Sequence, residues 1–258
     1  MSLPLLSNQI SIRKLFKASW VAIACTTLAA PVLADTYHMT SLEWPPYSGA
    51  KLDNQGASIA VAKAAFKAMG HDLVVEFFPW SRSVKMAQKD GSKYIGYFPE
   101  YFYETEDFHF SEVMGSGPLG FVEAKKMPIS WEKVADIKNY KIGVVQDYVN
   151  TKELDDMIAK GEIKAEAVVS DDKNVLKVAG GRLDAAVIDS NVLDYLKLNS
   201  KPVRRVSKDV QMNKKLLVDK KLYVAFKNTK EGRAVAKIFN EGLKKIDIDA
   251  IMKENMKE

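Results

Sequence analysis

At 258 residues, with 38 Lys and Arg against 33 Asp and Glu, the chain is long enough for one large domain or two lobes of about a hundred residues each. Its formal charge of +5 is carried partly by the first 34 residues, which hold Arg13, Lys14 and Lys17 and no acid; about +2 remains on the other 224, too little to suggest a nucleic-acid partner. Cys25 is the single cysteine, which excludes a disulfide framework, and His38, His71 and His109 are scattered without ligand spacing, so neither a zinc site nor any other cofactor is expected.

The chain opens with those three basic residues, then an apolar run over 20–30 that is too short to span a bilayer. Pro31 and Val32-Leu33-Ala34 follow, with compact residues at the −3 and −1 positions of a cut after Ala34. This layout reads as a cleavable secretory signal peptide over 1–34, with an N-terminal membrane anchor as the alternative. It sends the protein to the periplasm and places Cys25 in the discarded segment.

Beyond the cut, "TYHMTSL" alternates like a strand, and Trp44-Pro45-Pro46-Tyr47 must break it, predicting an extended loop with two exposed rings. "ASIAVAKAAFKAMG" sets Ile59, Ala62, Phe66 and Met69 on one helical face and stops at Gly70. "HDLVVEFFP" predicts the next strand, "SRSVKMAQKDG" a short helix ending at Gly91, and "KYIGYF" a third strand. A second β/α series follows. "YKIGVV" is a strand; Asn150 is placed to cap a helix over 151–160, with Glu153 reaching back. "AEAVVS", "DDKNVLKVAGG", "LDAAVID" and "SNVLDYLKL" alternate strand and helix; "KLYVAF" is a further strand, and an amphipathic helix over 229–246 closes the chain. Two such series predict an α/β fold in two lobes of mostly parallel sheet, not one long sheet.

"EWPPYSG", "FPWSRSVKMAQKDG", "FHFSE", "KIGVV", "GGRLDAAVIDSNVLDYL" and "LYVAFKN" occur in an order and spacing that resembles the bacterial extracellular solute-binding proteins of family 3, the amino-acid-type periplasmic proteins that serve ABC importers. The resemblance implies the two-lobe type II periplasmic binding protein fold with two hinge crossings. Lobe 1 would be 35–122 and 221–258, and lobe 2 would be 123–220. It further implies a monomer that closes on a small-molecule ligand in the interlobe cleft and presents it to an ABC permease in the inner membrane.

Eight side chains are candidates for that cleft. Asp189 ends the strand "LDAAVID"; the resemblance assigns it a ligand ammonium group, and the local pattern makes it equally a helix N-cap. Arg82, two residues after Trp80, could grip a carboxylate bidentately or be a solvated arginine at the start of a helix. Trp44, Tyr47 and Trp80 could stack on a ligand or be core. Tyr97 falls where the family's cleft-lining polar residue lies, and Tyr148 sits in the loop whose backbone N–H groups hold a carboxylate in relatives. Asp147 stands there where a glycine is common.

The arginine that many family members carry six or seven residues before "FS" is missing, and Glu104 and Thr105 stand at that count. A carboxylate at Glu104 would repel an anion and favour a cationic ligand, so "PEYFYETED" reads as a specificity wall. Two other readings stand beside transport: a sensory protein docking on a signalling receptor, and an enzyme of the cyclohexadienyl dehydratase kind on the same scaffold.

Overall fold

The computed structural model describes Met1 and residues 34–256; the signal-peptide reading falls on residues outside those described. From Ala34 onward the chain forms one compact unit.

The first series is built as the hydrophobic periodicity demands: β1 (Thr36–Ser41), α1 (Ala57–Ala68), β2 (Asp72–Phe77), α2 (Trp80–Gln88) and β3 (Tyr94–Tyr101). Strand β1 pairs in parallel with β2 and with β3. Ile59, Ala62 and Phe66 are buried, and the chain leaves α1 through Gly70 at φ 82°. Helix α2 is stitched to the β1 end: the Thr40 hydroxyl donates to Ser83 O at 2.9 Å, and Ser83 Oγ to Ser41 O at 2.5 Å. That stitching fixes Trp80, the first residue of α2.

The second series supplies β6 (Ile142–Val145), α3 (Lys152–Ala159), β7 (Ala165–Val168), α4 (Asp171–Ala179), β8 (Ala185–Asp189) and α5 (Ser190–Asn199), with β6 parallel to β7 and β8. The cap of α3 is Thr151, not Asn150: its side chain accepts from Leu154 N. Asp155, not Glu153, reaches back, accepting from the Asn150 backbone and side-chain nitrogens, both at 2.8 Å.

Segments not read as elements join the two series. They are β4 (Phe108–Phe110), β5 (Gly115–Ala124), α6 (Lys201–Val206) and β9 (Val210–Met212). Strand β10 (Val218–Lys227) was expected in part. It runs antiparallel to β3, β4 and β5, and β5 runs antiparallel to β8. The strand path is therefore continuous, β2-β1-β3-β10-β5-β8-β6-β7. This corrects the expectation of separate sheets, because the two crossing segments are themselves strands that pair with each other. The tail is two helices rather than one, α7 (Lys230–Leu243) and α8 (Ile248–Asn255), each with its own side-chain cap at Thr229 and Asp247. Helix α7 lies hard against α1: a Cβ on Gly242 would come within 2.1 Å of Ala65 O. Among the described residues no helix is long and apolar enough to cross a membrane, and no cluster of His, Cys, Asp and Glu could hold a metal.

Candidate functional site

The loop after β1 is a tight turn rather than an extended segment. Tyr47 N donates to Trp44 O at 3.0 Å and Trp44 N to Ser48 O at 2.8 Å. Both rings turn inward, Trp44 7 % and Tyr47 0 % exposed, which corrects the expectation of exposed rings. They stack on each other, centroids 4.4 Å apart, and the Trp44 edge meets Tyr101 at 6.0 Å. A proline-constrained turn places two large apolar faces where solvent would strip them of packing, so they fold onto the sheet instead.

Tyr47 reaches across to the second series. Its hydroxyl donates to Asp189 Oδ2 at 3.1 Å and accepts from Asn191 Nδ2 at 2.8 Å. The other Asp189 oxygen caps α5, accepting from Asn191 N at 2.8 Å and Val192 N at 3.2 Å. The helix cap and the contact with Tyr47 thus coexist on one carboxyl. Burial pushes Asp189 up to about 7 against the pull of those hydrogen bonds. Asp171, which opens α4, is also buried and is pushed up to about 7, first by burial and then by the neighbouring charges of Asp189 and Asp172.

Trp80 donates its indole N–H to Asp147 O at 3.0 Å, and Ser81 Oγ donates to the Asp147 carboxylate. Asp147 holds φ at 61°, a backbone state that favours glycine. Its carbonyl and side chain are therefore committed to α2. Around Trp80 stand Tyr97, with centroids 5.3 Å away, and Tyr148 at 6.0 Å. Two adjoining cavities share Leu42, Trp44, Trp80 and Tyr148 as walls. The smaller, about 20 Å³, is closed by Glu100, Tyr101 and Leu222, and has room for about one water. The larger, about 430 Å³, opens toward Ser170, Asp171 and Asp172.

The structure thus brings together Trp44, Tyr47, Trp80, Tyr148 and Asp189. Tyr97 is fully buried behind the wall, its hydroxyl donating to Glu100 Oε2 at 3.2 Å and lying 2.9 Å from the Tyr103 hydroxyl. Two candidates are not brought in. Arg82 is exposed, its guanidinium 5.0 Å from the Phe78 ring centroid, because the exposed side of α2 points it away. Glu104 is exposed in the loop after β3 and lines neither cavity.

Sequence reasoning missed Glu100, Asp171 and Tyr101. Glu100 is 5 % exposed and accepts from Tyr101 N at 2.7 Å; burial pushes it up to about 8. Strand β3 runs past Pro99 to Tyr101, with an irregular register against β10 between Tyr223 and Ala225. A proline tolerated at such an irregularity hides the strand's true end.

No family model matches the chain, and no curated protein matches it. Solved structures do. An amino acid ABC transporter substrate-binding protein from Streptococcus pneumoniae, solved with L-arginine, is 15% identical with a TM-score of 0.68, covering 86% of this chain and 94% of that one. This chain has the fold of that protein. A histidine kinase sensor domain with similarity to periplasmic binding proteins gives 15% identity and a TM-score of 0.70 over 85% of this chain and 95% of that one. An ancestral amino acid-binding protein, described as a precursor of cyclohexadienyl dehydratase, gives 18% and 0.64 over 85% and 93%. The shared architecture is the type II periplasmic binding protein fold; at these identities it is the fold alone that is shared.

Proposed function

We propose that the protein is a periplasmic solute-binding protein that performs no chemistry and captures a small amine-bearing solute for an ABC importer. In this reading residues 35–122 with 221–258 and residues 123–220 act as two lobes that close by hinging at β5 and β10, and the protein works as a monomer with a permease in the inner membrane. The observation that carries it is the pair of buried carboxyls, Asp171 and Asp189, neither in an ion pair among the described residues, beside the rings of Trp44 and Tyr47. An ammonium group would supply the missing counter-charge and would also be attracted by the ring faces.

A thermal-shift screen of the purified protein against amino acids, polyamines, quaternary amines and small sugars tests this. A ligand at a hundredfold excess over its dissociation constant stabilises by about 2.7 kcal/mol. A flat response across the screen contradicts the reading. Docking on a signalling receptor in place of a permease would give the same binding result; a receptor gene beside this one, without permease and ATPase genes, would favour it.

One observation favours a second reading. Glu100, its carboxyl pushed up to about 8 in an aromatic enclosure, meets the requirement for a general acid. A dehydratase would then use Glu100 rather than Glu104. Turnover of a cyclohexadienyl acid, abolished in Glu100→Gln, would establish it; no turnover at all removes it.

A further inference from the structure

A separate cavity lies at the other end of β6, β7 and β8. These strands run in parallel, with Ile142 in register with Ala165 and with Ala185. Asp189 ends β8 at the proposed ligand site, so the first residues of all three strands stand together at the opposite edge. There a cavity of about 420 Å³ is lined by Lys138, Lys141, Lys164, Glu166 and Arg182, among others.

Three stretches of chain deliver the four cations. Lys141 and Lys164 immediately precede the Ile142–Ala165 row, and Lys138 lies in the short helix Val134–Asn139 that leads into β6. Gly181, at φ 68°, turns the chain out of α4 and brings Arg182 to the start of β8. Two acids stand nearby, and both are engaged. Glu166 accepts from Lys177 Nζ, and Asp184 Oδ2 accepts from the Lys141 backbone N–H at 2.6 Å. None of Lys138, Lys141, Lys164 and Arg182 is in an ion pair among the described residues. Like charges gathered on the walls of a cleft repel one another and concentrate an anion between them.

We infer that this cavity is a second binding site, for a phosphate group held by Lys138, Lys141, Lys164 and Arg182. It shares no residue with the solute-binding cavities, so it stands or falls independently of that reading. Three ammonium groups and a guanidinium present more donors than the two oxygens of a carboxylate can take up. A phosphomonoester carries about 1.5–2 negative charges at neutral pH on three oxygens. A guanidinium can grip two of those oxygens at once, while the ammonium groups act as point charges around them. Inorganic phosphate, a soluble phosphomonoester and a phosphomonoester lipid headgroup all present this anion.

Binding measurements on the purified protein at low ionic strength test the inference. Inorganic phosphate and glycerol phosphate are titrated by calorimetry, and phosphatidylcholine vesicles containing phosphatidic acid are tested by co-sedimentation. The wild type should bind at least one of these probes. Lys141→Gln combined with Arg182→Gln should weaken that binding at least about tenfold, as for the loss of one charge-assisted contact. All four cations are exposed, so the melting temperature should be unchanged. Lys138→Gln combined with Lys164→Gln removes the other two and should weaken binding likewise. Binding should also fall as salt shortens the Debye length from about 30 Å at 0.01 M to about 8 Å at 0.15 M. A response to a soluble probe assigns a soluble phosphate; a response to the vesicles alone, above that to pure phosphatidylcholine, assigns a lipid headgroup. No binding of any probe, or binding undiminished in both double variants, overturns the inference and leaves the solute-binding reading untouched.

Discussion

The Tyr47 hydroxyl donates to Asp189 Oδ2 over 3.1 Å, joining side chains 142 residues apart in the chain. It ties the turn after β1 to the end of β8 and so links the two β/α series at the proposed ligand site. With Asn191 donating to the same hydroxyl, Tyr47 is donor to one partner and acceptor from the other, and its aromatic face backs Trp44.

Removing that hydroxyl should therefore be felt in stability and in titration. Tyr47→Phe keeps the stacked ring but leaves the Asn191 amide and one carboxyl oxygen without a partner, at a cost of about 1–3 kcal/mol in urea unfolding. The hydrogen bond lowers the Asp189 proton affinity, so its loss should push the carboxyl still higher. An unchanged unfolding midpoint would show that the link is not formed in solution.

Gly117 should tolerate no side chain. A Cβ there meets Asp189 Oδ2 and Tyr47 Oη at 2.1 Å, so Gly117→Ala must separate the pair. Overpacking of this kind costs about 1–3 kcal/mol, and ligand affinity should fall with it. Wild-type affinity in that variant, measured by calorimetry, would show that the Tyr47–Asp189 pair is dispensable.

Stability should fall as pH rises from about 4 toward about 8. Asp171 and Asp189 are pushed up to about 7 and Glu100 to about 8. At pH below the ordinary carboxylate range both folded and unfolded chains hold these protons, and nothing is lost. Between that range and the raised values the unfolded chain gives up protons that the folded chain keeps, so the unfolded state gains. Above the raised values the loss is complete. Melting temperature recorded from pH 5 to pH 8 should decline, and the decline should be shallower in Asp171→Asn. An identical slope in that variant would show that Asp171 is not buried as described.

Much of this was written in the sequence, and what was not has identifiable reasons. The helical faces of α1 and α7 are legible from periodicity, because each helix buries one face, and β8 is legible as a short apolar run, buried along its whole length. Strand β5 begins Gly-Ser-Gly-Pro, which local propensity disfavours; it is a strand because β10 and β8 supply hydrogen-bond partners on both sides. Asp189 was legible because it ends a hydrophobic strand just before a helix. Glu100 was not, since Pro99 hides that β3 runs on to Tyr101. Helix α8 did carry a signal, Asp247 as its cap, which the periodicity over 229–246 obscured.

Arg82 and Glu104 give the converse case. Their spacing suggested charges at the ligand, yet both are exposed, and Arg82 rests on Phe78. Arg82→Ala and Glu104→Gln should each leave the dissociation constant of the captured solute within about twofold, the range of an exposed charge. A tenfold loss in either would move the site toward α2 or the β3–β4 loop.

The most direct test of the account is calorimetric titration of Asp189→Asn beside the wild type, using the solute found by thermal shift. Asparagine still caps α5, so the fold is kept while the charge that receives the ammonium is removed. The account predicts an unchanged circular dichroism spectrum and affinity weakened by at least about a hundredfold, as befits a buried charge-assisted contact. Wild-type affinity in Asp189→Asn would contradict it.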